Sequence, residues 1–156
     1  MSEAPGGTWD SRNPENSAGE NSVGGPAGED VHDWYTRGLT LLGKGSPAAA
    51  AQLLQRAANA VPDARSVREA LARAQFDSGR YAEAADNFRF IVEASPSDDY
   101  AHFGLGLALA RSGNHRAAAQ YLALAAAMRP DQQHYTDALS QVRATLKARE
   151  EADPGQ

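Results

Sequence analysis

DYAHFGLGLALARSGNHRAAAQYLALAAAMRPDQ, residues 99–132, decides the fold. It holds two apolar runs of helical composition, separated by Ser112-Gly113-Asn114 and closed by Pro130-Asp131. Sliding the chain along itself by 34 residues brings the same punctuation into register twice more. Gly45, Gly79 and Gly113 superimpose, as do Pro62, Pro96 and Pro130, Ala50, Ala84 and Ala118, and Leu54, Phe88 and Leu122, all without a gap. Gly38, Ala72 and Gly106 make a further column of small residues, and Ala57, Ile91 and Ala125 an apolar one. A period of this length is the signature of stacked supersecondary units.

Each column has a physical job. The glycines follow about four helical turns and fall where a left-handed residue ends a helix without a Cβ penalty. They predict the turn inside a helical hairpin. The prolines end the second helix, and Asp63, Ser97 or Asp98, and Asp131 after them are acceptors suited to capping the next helix. Gly38 and Gly106 allow close approach between the paired helices, with Ala50, Ala84 and Ala118 expected to face them. No period-2 run of β-branched residues occurs, so the ordered part is expected to be all-α.

The tetratricopeptide repeat is the family these residues resemble. Residues 31–64 carry its pattern as Trp34, Gly38, Leu41, Ala50, Leu54, Ala57 and Pro62, and residues 99–132 as Leu105, Gly106, Leu109, Ala118, Leu122, Ala125 and Pro130. The middle frame, 65–98, keeps Leu71, Tyr81, Ala84, Phe88 and Pro96 but has Arg68 and Gln75 where large apolar groups are usual. The resemblance implies a right-handed superhelical α-solenoid of three hairpins. A further amphipathic helix over 133–149, with Tyr135, Leu139, Val142 and Leu146 at helical spacing, is expected to cap it.

Outside this frame the chain changes character. Residues 1–30 hold Glu3, Asp10, Glu15, Glu20, Glu29 and Asp30 against Arg12 alone, which accounts for the whole formal charge of −5. With only Met1, Trp9 and Val23 as large apolar groups, this stretch is read as a disordered tail, dispensable for folding. Trp9 is read as incidental. Residues 150–156 are read as a disordered end, and the 156 residues as one domain.

Composition excludes several function classes. The acidic balance argues against nucleic acid as a partner. Phe103–Ala110 and Tyr121–Met128, the longest apolar runs, are too short to span a bilayer, and no Lys/Arg-led apolar leader opens the chain. The reading is a cytoplasmic protein with no membrane partner; scarce Lys beside abundant Arg and Ala fits a GC-rich bacterial genome. There is no cysteine, and His32, His102, His115 and His134 share no ligand spacing, so no metal or cofactor is expected. Gly104-Leu105-Gly106 begins like a dinucleotide fingerprint but lacks the third glycine and the strand before it. No nucleophile has an identifiable base, so no enzyme is expected.

That leaves the face of each first helix rotated by about 100° from the packing positions, which in the repeat family lines the concave surface. It reads Tyr35, Leu39 and Leu42, then Glu69, Arg73 and Phe76, then Tyr100, Phe103 and Leu107. The resemblance implies a groove with apolar ends and a charged centre that holds a peptide segment of a partner protein. Tyr35, Tyr100 and Phe103 would be the anchors, and Glu69 with Arg73 would set polarity. Leu39→Glu and Phe103→Glu are both expected to keep the fold and lose binding. The family's two-carboxylate clamp for chaperone tails uses Lys, Asn and Arg, whereas Tyr35, Leu39, Ala70, Tyr100 and Gly104 stand there, so that ligand is not expected. A monomeric or weakly dimeric adaptor is the main reading. A secretion-type chaperone shielding an apolar client and a self-associating structural protein are its alternatives, and partial filling of this face by the protein's own side chains stays open.

Overall fold

The computed structural model describes residues 26–153, and side chains from Asp30 onward. Seven α-helices occupy them: α1 (Pro26–Gly43), α2 (Pro47–Ala60), α3 (Arg65–Asp77), α4 (Tyr81–Ala94), α5 (Asp99–Arg111), α6 (His115–Met128) and α7 (Gln133–Ala152). Among the described residues there is no strand. The helices fall into two compact units, one running to Arg80 and the other starting at Tyr81, where a single compact unit was expected. In a stack each helix packs mainly on its sequence neighbours, so the contacts thin out along the chain instead of closing on one centre.

Three helices end in the same way. Gly45, Gly79 and Gly113 have φ of 80°, 85° and 94°. An added Cβ would meet nothing within 4 Å at any of them, so the backbone conformation, not space, requires glycine. Around each glycine a pair of hydrogen bonds closes the helix: Ser46 N to Leu41 O at 2.9 Å with Gly45 N to Leu42 O at 3.1 Å, and likewise Arg80 to Gln75 with Gly79 to Phe76, and Asn114 to Leu109 with Gly113 to Ala110. This double closure satisfies the last free carbonyls and, at Gly45 and Gly113, reverses the chain within a few residues.

The other junctions are built on proline. Ala64 N donates to Val61 O, Asp98 N to Ser95 O and Gln132 N to Arg129 O, at 3.0 to 3.1 Å. Each bond spans a β-turn with Pro62, Pro96 or Pro130 at its second position, where the fixed φ of proline is preferred. The expected capping acids behave unequally. Asp98 accepts from Ala101 N at 3.0 Å, but the N-caps of α3 and α7 are Ala64 and Gln132, without side-chain bonds. Asp131 is taken instead by Arg129, whose Nε and Nη2 lie 3.0 and 2.7 Å from its two oxygens. That bidentate hydrogen bond holds the Asp131 carboxyl below the usual carboxylate range.

In the first unit α2 packs between α1 and α3, and α1 also touches α3. Its core gathers Tyr35, Leu54, Ala57, Val67, Ala70, Leu71 and Ala74. A Cβ on Gly38 would stand 2.6 Å from Leu54 Cγ, and one on Gly106, in the second unit, 2.6 Å from Leu122 Cγ. The notch in the first helix is thus filled mainly by the leucine column, not by the Ala50 and Ala118 column expected to face it. Arg68 reaches back to the preceding turn, its Nε donating to Pro62 O at 2.8 Å, and Gln75 is buried. In the second unit α5 packs on α4 and α6, and α7 on α6; Phe88 fills a matching notch at Gly104. Tyr135, Leu139 and Val142 of α7 are buried as the cap pattern requires.

Both ends of the helical region differ from expectation. α1 starts at Pro26, inside the stretch read as tail, because proline suits a first helical position. α7 runs three residues past Arg149, through the good helix formers Glu150, Glu151 and Ala152, before Pro154 precludes continuation. Trp9 and the rest of the presumed tail lie outside the described residues.

Gly38→Ala is expected to destabilise the protein by about 1–3 kcal/mol, since the Leu54 branch point cannot yield freely. Gly43→Ala, in open space at the end of the same helix, should be neutral or stabilising by up to about 1 kcal/mol. Chemical denaturation of the two variants side by side measures the contrast.

Candidate functional site

The first-helix faces meet different fates in the two units. In the first, Tyr35 of α1 is buried at 9% exposure, while Leu39 and Leu42 pack against the core and stay half-buried. On α3, Phe76 is buried, and Glu69 and Arg73 are half-buried. Helical spacing puts Ser66, Glu69, Arg73 and Asp77 on one side of α3, and all four retain partial exposure. The Nε of Arg73 is closed off from solvent and has no hydrogen-bond partner. Asp77 was not among the expected residues, although its place four residues after Arg73 would have marked it.

The second unit corrects the expectation for Tyr100 and Phe103. They are 1% and 2% exposed, and neither can serve as an open anchor. Phe103 stacks on Tyr135 with centroids 4.6 Å apart and an interplanar angle of 28°, while the His134 ring meets it edge-on at 5.1 Å. The Tyr135 hydroxyl donates to Asp99 Oδ2 at 2.6 Å, tying the start of α7 to the start of α5. The helix over 133–149 was expected to cap the apolar face of the third hairpin around Leu122; its first turn also covers Phe103. Leu107 remains half-buried.

A cleft of about 710 Å³ opens between the start of α6 and the end of α7. His115, Arg116, Leu146, Arg149, Glu150 and Asp153 line it, so its cationic and anionic groups offset one another. No motif in the sequence pointed there. Among the described residues no three His, Cys, Asp or Glu side chains could hold a metal ion, and no helix is long and apolar enough to cross a membrane. Gly104-Leu105-Gly106 lies inside α5, where its glycines serve helix packing.

A family model described as the tetratricopeptide repeat matches residues 35–99 and 69–132, two frames that start 34 residues apart and together span more than half of the chain. The chain belongs to this family. No curated protein matches it significantly. Among solved structures, the second repeat domain of human RPAP3, in complex with an HSP70 peptide, aligns with a TM-score of 0.68 at 18% identity, over 75% of this chain and 98% of that one. The first repeat domain of Spaghetti (RPAP3), bound to an HSP90 peptide, gives 0.70 at 17% identity over 76% and 94%. A MamA structure from MSR-1 gives 0.71 at 24% identity over 85% and 76%. These likenesses establish the repeat solenoid as the fold.

Phe103→Glu is expected to destabilise the protein by more than about 3 kcal/mol, because it buries a carboxylate in an aromatic cluster. Leu39→Glu, at a half-buried site, should retain its helical circular dichroism and a cooperative transition. Tyr135→Phe keeps the stack and loses the bond to Asp99, for an expected cost of about 1–3 kcal/mol.

Proposed function

We propose that this protein is a non-enzymatic adaptor that docks a peptide segment of a partner protein on the α1/α3 face of its first unit. The observation behind this reading is the pairing of half-buried Leu39 and Leu42 on α1 with the partly exposed Glu69, Arg73 and Asp77 on α3. Apolar contacts that are only half covered supply binding energy, while a charged row beside them supplies orientation.

The solved relatives held with HSP70 and HSP90 peptides support peptide binding as the use of the fold. The ligand here is a different peptide, since the residues at the clamp positions, Tyr35, Leu39 and Ala70 among them, offer no cation. Leu107 is a secondary candidate on the second unit. Tyr100 and Phe103 support the fold and do not belong to the docking face.

Immobilised full-length protein would be used to isolate a partner, and the partner segment identified by mass spectrometry would then be titrated into folded variants. Leu39→Glu should weaken that segment by at least tenfold, equivalent to about 1.4 kcal/mol, because a charge must be desolvated where apolar contact was made. Unchanged affinity in a folded Leu39→Glu protein would move the site elsewhere.

A further inference from the structure

The outer side of α6 carries apolar surface with nothing over it. Leu124 is 48% exposed, and no other large hydrophobic side chain is exposed among the described residues. Three- and four-residue spacing puts Ala117, Gln120, Tyr121, Ala127 and Met128 on the same side of the helix. All of them retain exposure, including Tyr121, whose ring centroid lies 6.2 Å from that of His102. From Ala117 to Met128 there is no charged residue. The same columns read differently in the earlier frames. Arg56 holds the place of Leu124 in α2, and in α4 Phe90 holds it with Glu83, Asp86 and Glu93 in the columns around it. The outer sides of α2 and α4 are thus kept charged, whereas that of α6 is apolar with Arg116 before it and Arg129 and Asp131 after it. An apolar patch with a polar rim marks an association surface.

The order of residues along this face points to its occupant. A twofold contact must be complementary to itself, and the row on α6 is so when reversed. With two copies antiparallel about an axis between Leu122 and Ala123, Tyr121 of one stands opposite Leu124 of the other, and small Ala117 opposite large Met128. Reversal also sets the positive start of each helix, where Arg116 is exposed, beside the negative end of the other. A parallel pair would place Met128 on Met128 and Arg116 on Arg116. A foreign partner selected by charge finds nothing to pair with between Ala117 and Met128. The 14 residues of α6 span about 21 Å at about 1.5 Å per residue. One helix face of that length buries less than the roughly 800 Å² per partner of a standard interface, so the pairing is weak and reversible.

We propose that α6 is a self-association face, on which a second copy of this chain lies antiparallel through Tyr121, Leu124 and Met128, with Ala117 making room for Met128. The inference is independent of peptide docking, which was assigned to the α1/α3 face of the other unit.

Sedimentation equilibrium of the full chain from about 10 µM to about 1 mM tests it. The mean mass should rise with concentration from the monomer towards the dimer. Leu124→Glu should weaken association at least about tenfold, because a carboxylate would have to be desolvated at the centre of the contact. Its circular dichroism should be unchanged, since the side chain is exposed in the single chain; if that variant does not fold, Leu124→Ser replaces it. Arg56→Glu, in the same column of α2, should associate as the wild type does. The chain has no cysteine, so single substitutions report the register. A mixture of Ala117→Cys and Met128→Cys should form a disulfide between chains under mild oxidation, in clear excess over either variant alone.

A mass that stays monomeric up to about 1 mM overturns the inference and leaves the face to a foreign protein. Undiminished association of the folded Leu124 variant, or an equal loss in Arg56→Glu, places the contact elsewhere and overturns it as well. Cross-linking of Ala117→Cys to itself as readily as in the mixture overturns the antiparallel register. The docking of a peptide on α1 and α3 stands or falls separately, by the response of its partner to Leu39→Glu.

Discussion

Everything in this protein hangs on a left-handed glycine at the end of a helix. With φ between 80° and 94° at Gly45, Gly79 and Gly113, the chain can close the helix through two backbone bonds, and at Gly45 and Gly113 it leaves in the reverse direction at once. In the first and third frames the second helix then returns against the first, and Leu54 or Leu122 lands over the notch left by Gly38 or Gly106. Any other residue at the turn would be held in a strained conformation. The hairpin angle, the notch and the face left uncovered all follow from that reversal.

The same hairpin presents its first-helix face in two conditions. In the first unit it is half-covered, with leucines on α1 and a charged row on α3. In the second, α7 lays His134 and Tyr135 on Phe103 and binds Asp99, and an aromatic face that looks like a docking site in sequence becomes interior. The closing helix α7 is what covers Phe103, while Tyr35 in the first unit is buried in a core shared with α3. This is the ordinary behaviour of a stacked array, in which the last helix meets a face that earlier ones leave open.

Much of the fold was legible because it is written in single-residue punctuation. Glycine and proline columns at a period of 34 carry their own geometry, and Leu54, Phe88 and Leu122, each fully buried, share a column. Less legible were features set by competition between neighbours. Asp131 looks like a cap for α7 but is better satisfied by the adjacent Arg129, and only Asp98 wins its cap. The site was read as to face but not as to exposure, since spacing tells which residues share a side of α5 and not that Tyr135 will lie over Phe103. Arg73 was visible as a charge among apolar groups. The shielding of its Nε depends on packing that no local pattern encodes.

The short glycine and proline turns also have a kinetic consequence. Because the main contacts within each unit join helices adjacent or next but one in sequence, little chain entropy is spent closing large loops. The relative contact order is therefore low, as in helical bundles that fold in microseconds to milliseconds. Nucleation is not confined to one place, since any hairpin with its leucine seated in its notch already contains the repeat's full set of local bonds. A lesion in one hairpin would then slow or weaken that hairpin first and leave the others able to form.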